Sequence, residues 1–483
     1  VRISGLSSGL DVEQIIEDLM RVERIPVDRV FQQKVEAEWQ RDAYRDVNMK
    51  FLRLRNMSFD LSLQGTFDKK TATSSHEGIL TVTATGRAQE GQYELQVEQL
   101  AAAGRVVFED VGTNLAEFFA DGTDQATFTL RAGNSEDHEG YEITVAKGDN
   151  LIDIAQKINA HKDLGIHAFS DGASISLTTR ATGTGAQIEV VNDSDDFFAE
   201  VFGVIRAGEG RGQNAIVEVN GIKLEAESNT LDINGLRVHL HGADTDTMVR
   251  VNVAHDVEAA VESIKEFADL YNELVEELNA ALREDVHREF RPLTDAEKAE
   301  MSDKEIELWE EKAKSGLLRS DRLISGVLTE MRLALGGAVE GLGEHRSLAE
   351  IGIKTGAWYE YGKLYIDEDK LRGALRDNPA EVRDLFTQNG EGGAQGLAKR
   401  LTAALDQGMD RITKTAGKAT TLYDQSFLGE RIRDYEDRLF ALEERLIRIE
   451  QNHWNKFTAM EQVLSQLYAQ GDWLYQQLLT MQG

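Results

Sequence analysis

The sequence predicts an α+β multidomain protein with terminal coiled-coil helices, a helical-bundle body carrying a small β element, and two inserted β-rich domains. Three observations support this. Residues 425–483 repeat apolar side chains at heptad spacing, the middle of the chain switches to a period of two, and the helical period returns after Val257. The domain organisation that follows pairs 1–42 with 425–483 as a coiled-coil leg and 43–75 with 258–424 as a helical body. It pairs 76–107 with 213–257 as a β-rich domain, and leaves 108–212 as an outer insertion. A chain of 483 residues exceeds what one hydrophobic core supports, so several domains are required.

Composition narrows the chemistry. There is no cysteine, which excludes disulfides and thiolate zinc sites. Lys+Arg of 53 against Asp+Glu of 85 leaves a net charge of -32, and so acidic a surface repels nucleic acid and anionic membranes. Only Pro26, Pro292 and Pro379 interrupt the chain, which suits long helices. No window approaches the ~18 to 20 apolar residues of a membrane span, and no cleavable secretory signal is legible.

At the N-terminus, GLSSG (5–9) fits GxSxG, but four preceding residues are too few for the buried strand that a nucleophile elbow needs. Ser7 therefore reads as part of a flexible lead-in, and Asp11 as the N-cap of a helix whose first turns carry Glu13, Glu17 and Asp18. Val12, Ile15, Leu19 and Val22 form an apolar stripe. Ile25-Pro26 is expected to kink or break it, because proline lacks a donor and restricts the residue before it. A second helical run then goes from Val27 through Phe31, Val35, Trp39, Tyr44, Val47, Phe51 and Leu54 to Leu61.

Strand patterns follow in ILTVTATG (79–86), YELQVEQL (93–100), LRVHLHG (236–242) and MVRVNVAHD (248–256). Asn220-Gly221 within VEVNGIKLEA marks a two-residue hairpin. Residues 141–193 read strand, helix, strand, strand, strand, with Asp149 or Asn150 as the cap and Leu151, Ile154, Ala155 and Ile158 as the buried face. After Val257 come a long helix and two capping boxes, Thr294 with Glu297 and Ser302 with Glu305. The helix LRSDRLISGVLTEMRLAL, a strand pair around Tyr361-Gly362 and two short helices complete the body. Leu428, Ile432, Tyr435, Leu439, Leu442, Leu446 and Ile449 then alternate steps of four and three, the seam of a coiled coil. His453 lies on that seam, where a polar residue sets register more often than it binds metal.

Other patterns lack a chemical context. His239 and His241 share a strand face without a third ligand nearby, GEGRG (208–212) and GTG (183–185) lack the spacing of a phosphate loop, and NDSDD (192–196) lacks the glycine and terminal glutamate of a calcium loop. No nucleophile, base and orienting group come together in sequence. A non-enzymatic protein with no cofactor and no metal is expected.

The segments ISGLSSGLDVEQIIEDLMRVERIP, ESNTLDINGLRVHL and IGIKTGAWYEYGKLYIDEDKLRGALRDNPAEVRDLF resemble the signatures of the flagellar filament-capping proteins, the FliD family of hook-associated proteins. Residues 141–191 are similar to the hook IN motif found in such proteins, and Val27 and Val30 stand where leucines are common. The resemblance implies an extracellular protein at the distal tip of the flagellum, exported by the flagellar type III pathway. It implies a homo-oligomeric ring of five or six copies that promotes folding and insertion of flagellin. Its partners would be flagellin, the hook-filament junction protein and a cytosolic export chaperone before secretion, with no nucleic acid and no membrane insertion. Ile15, Ile16, Leu19 and Met20, with Leu439, Leu442, Leu446 and Ile449, are the candidates for leg packing and filament contact. The alternative function is a surface adhesin carried at the flagellar tip.

Overall fold

A computed structural model describes residues 11–133, 139–206, 208–421 and 423–481. The chain divides into two compact units, one made of both ends, residues 1–66 with 261–483, and one made of 67–260. In chain order, the first unit begins with α1 (Val12–Leu61) and a single turn, α2 (Gln64–Phe67).

The β-rich unit follows. Its first strands are β1 (Lys70–Ser74), β2 (Leu80–Ala84), β3 (Gly91–Gln99) and β4 (Ala103–Phe108), then α3 (Gly112–Phe118). Next come β5 (Gln125–Ala132), β6 (Tyr141–Ala146), α4 (Leu151–Ala160), β7 (Ile166–Ser170), β8 (Ile175–Thr182), β9 (Ile188–Asp193) and α5 (Phe197–Val201). The unit closes with β10 (Ala215–Val219), β11 (Ile222–Ala226), β12 (Thr230–Ile233), β13 (Leu236–Leu240) and β14 (Asp244–His255).

These strands are antiparallel throughout and build two cores. In the first, a five-stranded sheet of order β1-β14-β3-β10-β11 and a three-stranded sheet of order β12-β13-β2 share one apolar cluster. Val249, Val251 and Val253 alternate with outward Arg250 and Asn252 on β14, the period-two pattern of a half-buried strand. The β10–β11 hairpin turns at Asn220 and Gly221, whose φ angles of 47° and 84° are those of a type I′ turn; glycine tolerates the second without a Cβ penalty.

The second core joins the sheets β4-β8-β7 and β6-β5-β9 with α3, α4 and α5. Phenylalanines fill its centre: Phe118 meets Phe197 edge-on at 4.9 Å between centroids, and Phe198 meets Phe202 at 4.9 Å. Such pairs each add about 0.5–1.5 kcal/mol beyond their burial. Between Tyr141 and Asp193 the element order is strand, helix, strand, strand, strand, as the sequence predicts. The cap is Asn150, whose Oδ1 accepts from the Ile152 and Asp153 amides at 2.9 and 3.1 Å, while Asp153 accepts from the Asn150 amide at 3.0 Å. Its buried face is Leu151, Ile154, Ala155 and Ile158.

The helical unit resumes in α6 (Val257–Ala281), α7 (Asp295–Ala299), α8 (Asp303–Lys314) and α9 (Arg322–Gly336). A two-stranded sheet of β15 (Ile353–Thr355) and β16 (Leu364–Ile366) turns at Tyr361 and Gly362, both with positive φ. Then come α10 (Glu368–Asp377), α11 (Pro379–Thr387), α12 (Leu397–Ala416) and α13 (Phe427–Met481). Both predicted capping boxes form: Thr294 and Ser302 donate their amides to Glu297 and Glu305 at 2.8 and 2.9 Å. Phe51, Leu54, Ile324, Val327, Leu401 and Leu405, all fully buried, come from α1, α9 and α12 and knit these helices together.

Of the kink or break expected at Pro26, the break is corrected. α1 runs without interruption from Val12 to Leu61, through the proline. Pro26 is exposed, as are Val22 and Ile25, so the Val22 carbonyl that loses its donor lies on the solvent side where water replaces it. Val27 and Val30, on the other side, are buried and hold the helix to its neighbours. Tertiary packing overrides the local preference.

Candidate functional site

The feature with functional promise is the pairing of the two ends. Asp11 caps α1, its Oδ1 accepting from the Gln14 amide at 3.1 Å, and Glu13 sits in the positive first turn. Further along, Lys34 bridges Glu38 on its own helix and Glu436 on α13, at 3.3 Å each. Burial works against the Lys34 charge, but the two glutamates outweigh it and raise its pKa. At the base, Arg45 donates to Asp424 at 2.8 Å and to the Ala416 carbonyl at 2.9 Å. Burial pushes the Asp424 carboxyl up, yet hydrogen bonds from Ser426 and the charges of Arg45 and Arg41 hold it below its ordinary value. Asp28 is raised, chiefly by burial and further by Glu297, with Arg24 opposing at 3.7 Å.

These contacts fix an antiparallel register. Moving up α1 from Arg45 to Lys34 moves from Asp424 to Glu436, and a cleft higher up is lined by Ile16, Met20 and Arg24 on one helix and Leu446, Glu450 and Trp454 on the other. Stepping 22 residues each way from Lys34 and Glu436 reaches Val12 and Thr458. Beyond Thr458, α13 continues to Met481. At 1.5 Å per residue that is roughly 35 Å of further helix. It exposes Val463, Leu467, Tyr468, Trp473, Leu474 and Tyr475, each by more than half.

The sequence-predicted residues fall on this hairpin as follows. Ile16 is buried at 3%, Ile15 and Met20 are half-buried, and Leu19 is 40% exposed. Leu439, Leu442, Leu446 and Ile449 are all half-buried, with His453 continuing their line. Leu446 shares the cleft with Ile16 and Met20, whereas Leu19 is not among the residues lining it. Sequence reasoning missed Trp454 and the exposed Phe440 and Ile447, which lie off the heptad seam.

The remaining motifs have ordinary partners. Ser7 lies outside the described residues. His239 Nδ1 and His241 Nε2 lie 3.0 and 2.9 Å from the Thr230 and Thr81 hydroxyls. The Asp193 carboxylate of NDSDD accepts from the Phe198 and Ala199 amides at 2.7 and 3.0 Å, capping α5. Among the described residues no group of three or more His, Asp or Glu side chains is arranged for a metal ion, and no helix is long and apolar enough to cross a membrane.

The fold is that of a flagellar cap protein. It matches the crystal structure of the D1-D2-D3 domains of the flagellar cap protein FliD from Escherichia coli with a TM-score of 0.56 at 21% identity, covering 82% of this chain and 99% of that one. Sequence then gives the family. The N-terminal region of flagellar hook-associated protein 2 matches residues 8–104 and its C-terminal region residues 212–469. The flagellar hook-associated protein 2 of Halalkalibacterium halodurans is 31% identical, over 97% of this chain and 98% of its own length. The A-type flagellar hook-associated protein 2 of Pseudomonas aeruginosa is 28% identical, over 100% and 98%. This chain belongs to the flagellar hook-associated protein 2 family. The stretch between the two matched regions is the phenylalanine-rich second core.

Proposed function

We propose that this protein caps the distal end of the flagellar filament as a ring of five or six copies and there promotes the folding and insertion of exported flagellin. The observation that carries this reading is the antiparallel pairing of α1 with α13, from which α13 runs on with an exposed apolar and aromatic surface. Paired ends of this kind act as legs reaching toward the filament: residues 1–42 with 425–483 form the leg and 43–75 with 258–424 the body. Residues 76–107 with 213–257, and the outer 108–212, form the plate. Ile15, Ile16, Leu19, Met20, Leu439, Leu442, Leu446 and Ile449 pack the leg or touch the filament.

No covalent step is required, because shielding a subunit while it folds needs only an enclosed space and surfaces that release it. The protein reaches the tip through the flagellar type III pathway, escorted by a cytosolic chaperone, and meets the hook-filament junction protein before flagellin arrives. Negative-stain electron microscopy of the purified full chain tests the ring. Closed particles with five- or six-fold symmetry are expected, and a strictly monomeric field at micromolar concentration would overturn the reading.

A further inference from the structure

A basic cleft of about 660 Å3 opens in the helical unit between α1, the loop after α6, the end of α8 and the start of α13. Arg29, Arg288, Arg291 and Arg431 line it, with Glu36 as the acidic member. All four arginines are exposed. Arg29, Arg288 and Arg291 make no ion pair among the described residues, and Arg431 donates to the Tyr435 hydroxyl at 3.1 Å. Two more cations flank the cleft, Lys312 over the Phe290 ring at 4.7 Å and Lys314 over the Trp39 ring at 4.9 Å. In a chain of net charge -32, where carboxylates outnumber cations, so many unpaired guanidinium groups in one cleft are a departure from the rest of the surface.

The α1 side of the cleft is a single stripe. Arg29, Gln32, Gln33, Glu36, Ala37 and Gln40 recur at helical spacing and so share one face of the helix. From Arg29 to Gln40 that stripe rises roughly 17 Å, the span of about five extended residues. The pairing of Lys34 with Glu436 puts Arg431 level with Trp39, so arginines stand at both ends of the stripe. The side-chain amides of Gln32, Gln33 and Gln40 make no hydrogen bond among the described residues, and each offers both a donor and an acceptor. The loop that carries Arg288 and Arg291 is already held. Trp309 Nε1 donates to the Arg291 carbonyl at 2.8 Å, and its ring meets Phe290 at 4.7 Å between centroids. The Ser315 hydroxyl donates to the Asp285 carbonyl at 2.6 Å, and Arg319 to the Glu284 carbonyl at 2.9 Å.

We propose that this cleft binds a short acidic segment of a partner protein in extended conformation. Planar, permanently charged guanidinium forks take carboxylates in pairs of hydrogen bonds, and the glutamine amides meet the N–H and C=O groups that an extended peptide leaves open along its length. Charge complementarity favours a short peptide over a long polyanion. Attraction to the arginines fades beyond about 8 Å at physiological ionic strength, and a nucleic-acid strand running on past the cleft lies against the acidic remainder of the surface. The site needs no second copy of this chain, so it is independent of the ring.

Fluorescence anisotropy of labelled hexaglutamate with the full-length protein tests it, with labelled hexathymidylate as an oligonucleotide of similar charge. Saturable binding of hexaglutamate is expected, and binding of hexathymidylate should be roughly tenfold weaker or less. Arg288→Gln with Arg291→Gln should weaken hexaglutamate binding roughly tenfold or more, because charge-assisted hydrogen bonds are lost. Glu36→Gln removes the carboxylate from the lining and should tighten binding severalfold, a gain that a damaged fold would not give. All three positions are exposed, so thermal melts should match the wild type. The proposal is overturned by hexaglutamate that does not bind saturably, by hexathymidylate that binds as tightly or more tightly, or by an arginine double variant or a Glu36→Gln protein whose affinity equals that of the wild type.

Discussion

Two glycines in neighbouring helices of the body show how packing decides what one residue contributes. Gly326 in α9 has no atom within 4 Å of where a Cβ would stand, whereas a Cβ at Gly408 in α12 would meet both methyl groups of Val327 at 2.8 Å. Val327 is fully buried, so it must shift within a packed core to make room. Gly326→Ala should therefore gain the full helix-propensity difference, about 1 kcal/mol. Gly408→Ala gains the same propensity and loses about 1–3 kcal/mol to overpacking, so it should be neutral to destabilising. Urea melts of the two variants check this, and a Gly408→Ala as stable as Gly326→Ala would mean that α9 and α12 pack more loosely than described. At this scale the sequence was legible where bonding is local. Asp11, Asn150 and Thr294 accept from amides within three residues of themselves, and Glu297 and Glu305 accept from the amides of Thr294 and Ser302, spacings that are readable in order. The Gly408–Val327 contact joins residues 81 positions apart, and no local pattern announces it.

At the scale of elements, Pro26 is the instructive case. The expectation of a break came from the backbone alone; the continuous helix comes from the buried Val27 and Val30 beside it and from an orphaned carbonyl that faces water. The penalty of proline in a helix interior, about 3 kcal/mol, is then borne within α1 rather than avoided. Pro26→Ala should stabilise the protein by up to about 3 kcal/mol and raise the melting temperature followed by the helical circular dichroism signal. A lower melting temperature would show that the restraint proline places on the α1 backbone is needed for the helix to meet its partners. α12 shows the opposite difficulty. Its buried Leu397, Leu401, Leu405, Gly408, Ile412 and Ala416 keep helical spacing, but a glycine in mid-stripe hides the pattern, and sequence reading passed over it. The strands of the first core were clearer, because alternation in β3, β13 and β14 coincides with one buried and one wet face.

For the whole molecule, the chain's ends had to meet for its middle to be an insertion, and they do: α1 and α13 belong to one compact unit while residues 67–260 form another with its own cores. The heptad seam announced α13 and its apolar line. It did not announce the partner's register, which is set by Lys34 with Glu436 and Arg45 with Asp424, nor the length of α13 left beyond Thr458. A seam names a face without naming what covers it. The half-burial of Leu442 and Leu446 follows from that arrangement, since α1 covers one side of α13 and leaves the other open.

The central claim is that this paired hairpin is the part of the cap on which filament growth depends, and Leu442→Asp with Leu446→Asp addresses it most directly. A carboxylate at either half-buried position must give up part of its hydration without a partner or push α1 away, and either outcome loosens the pairing. The measurement is filament length, with flagellin in the medium, in a strain lacking its own cap protein and supplied with this chain. The account predicts that the double variant is exported and still forms rings, but gives short or absent filaments and leaks unpolymerised flagellin. Full-length filaments from the double variant would contradict it.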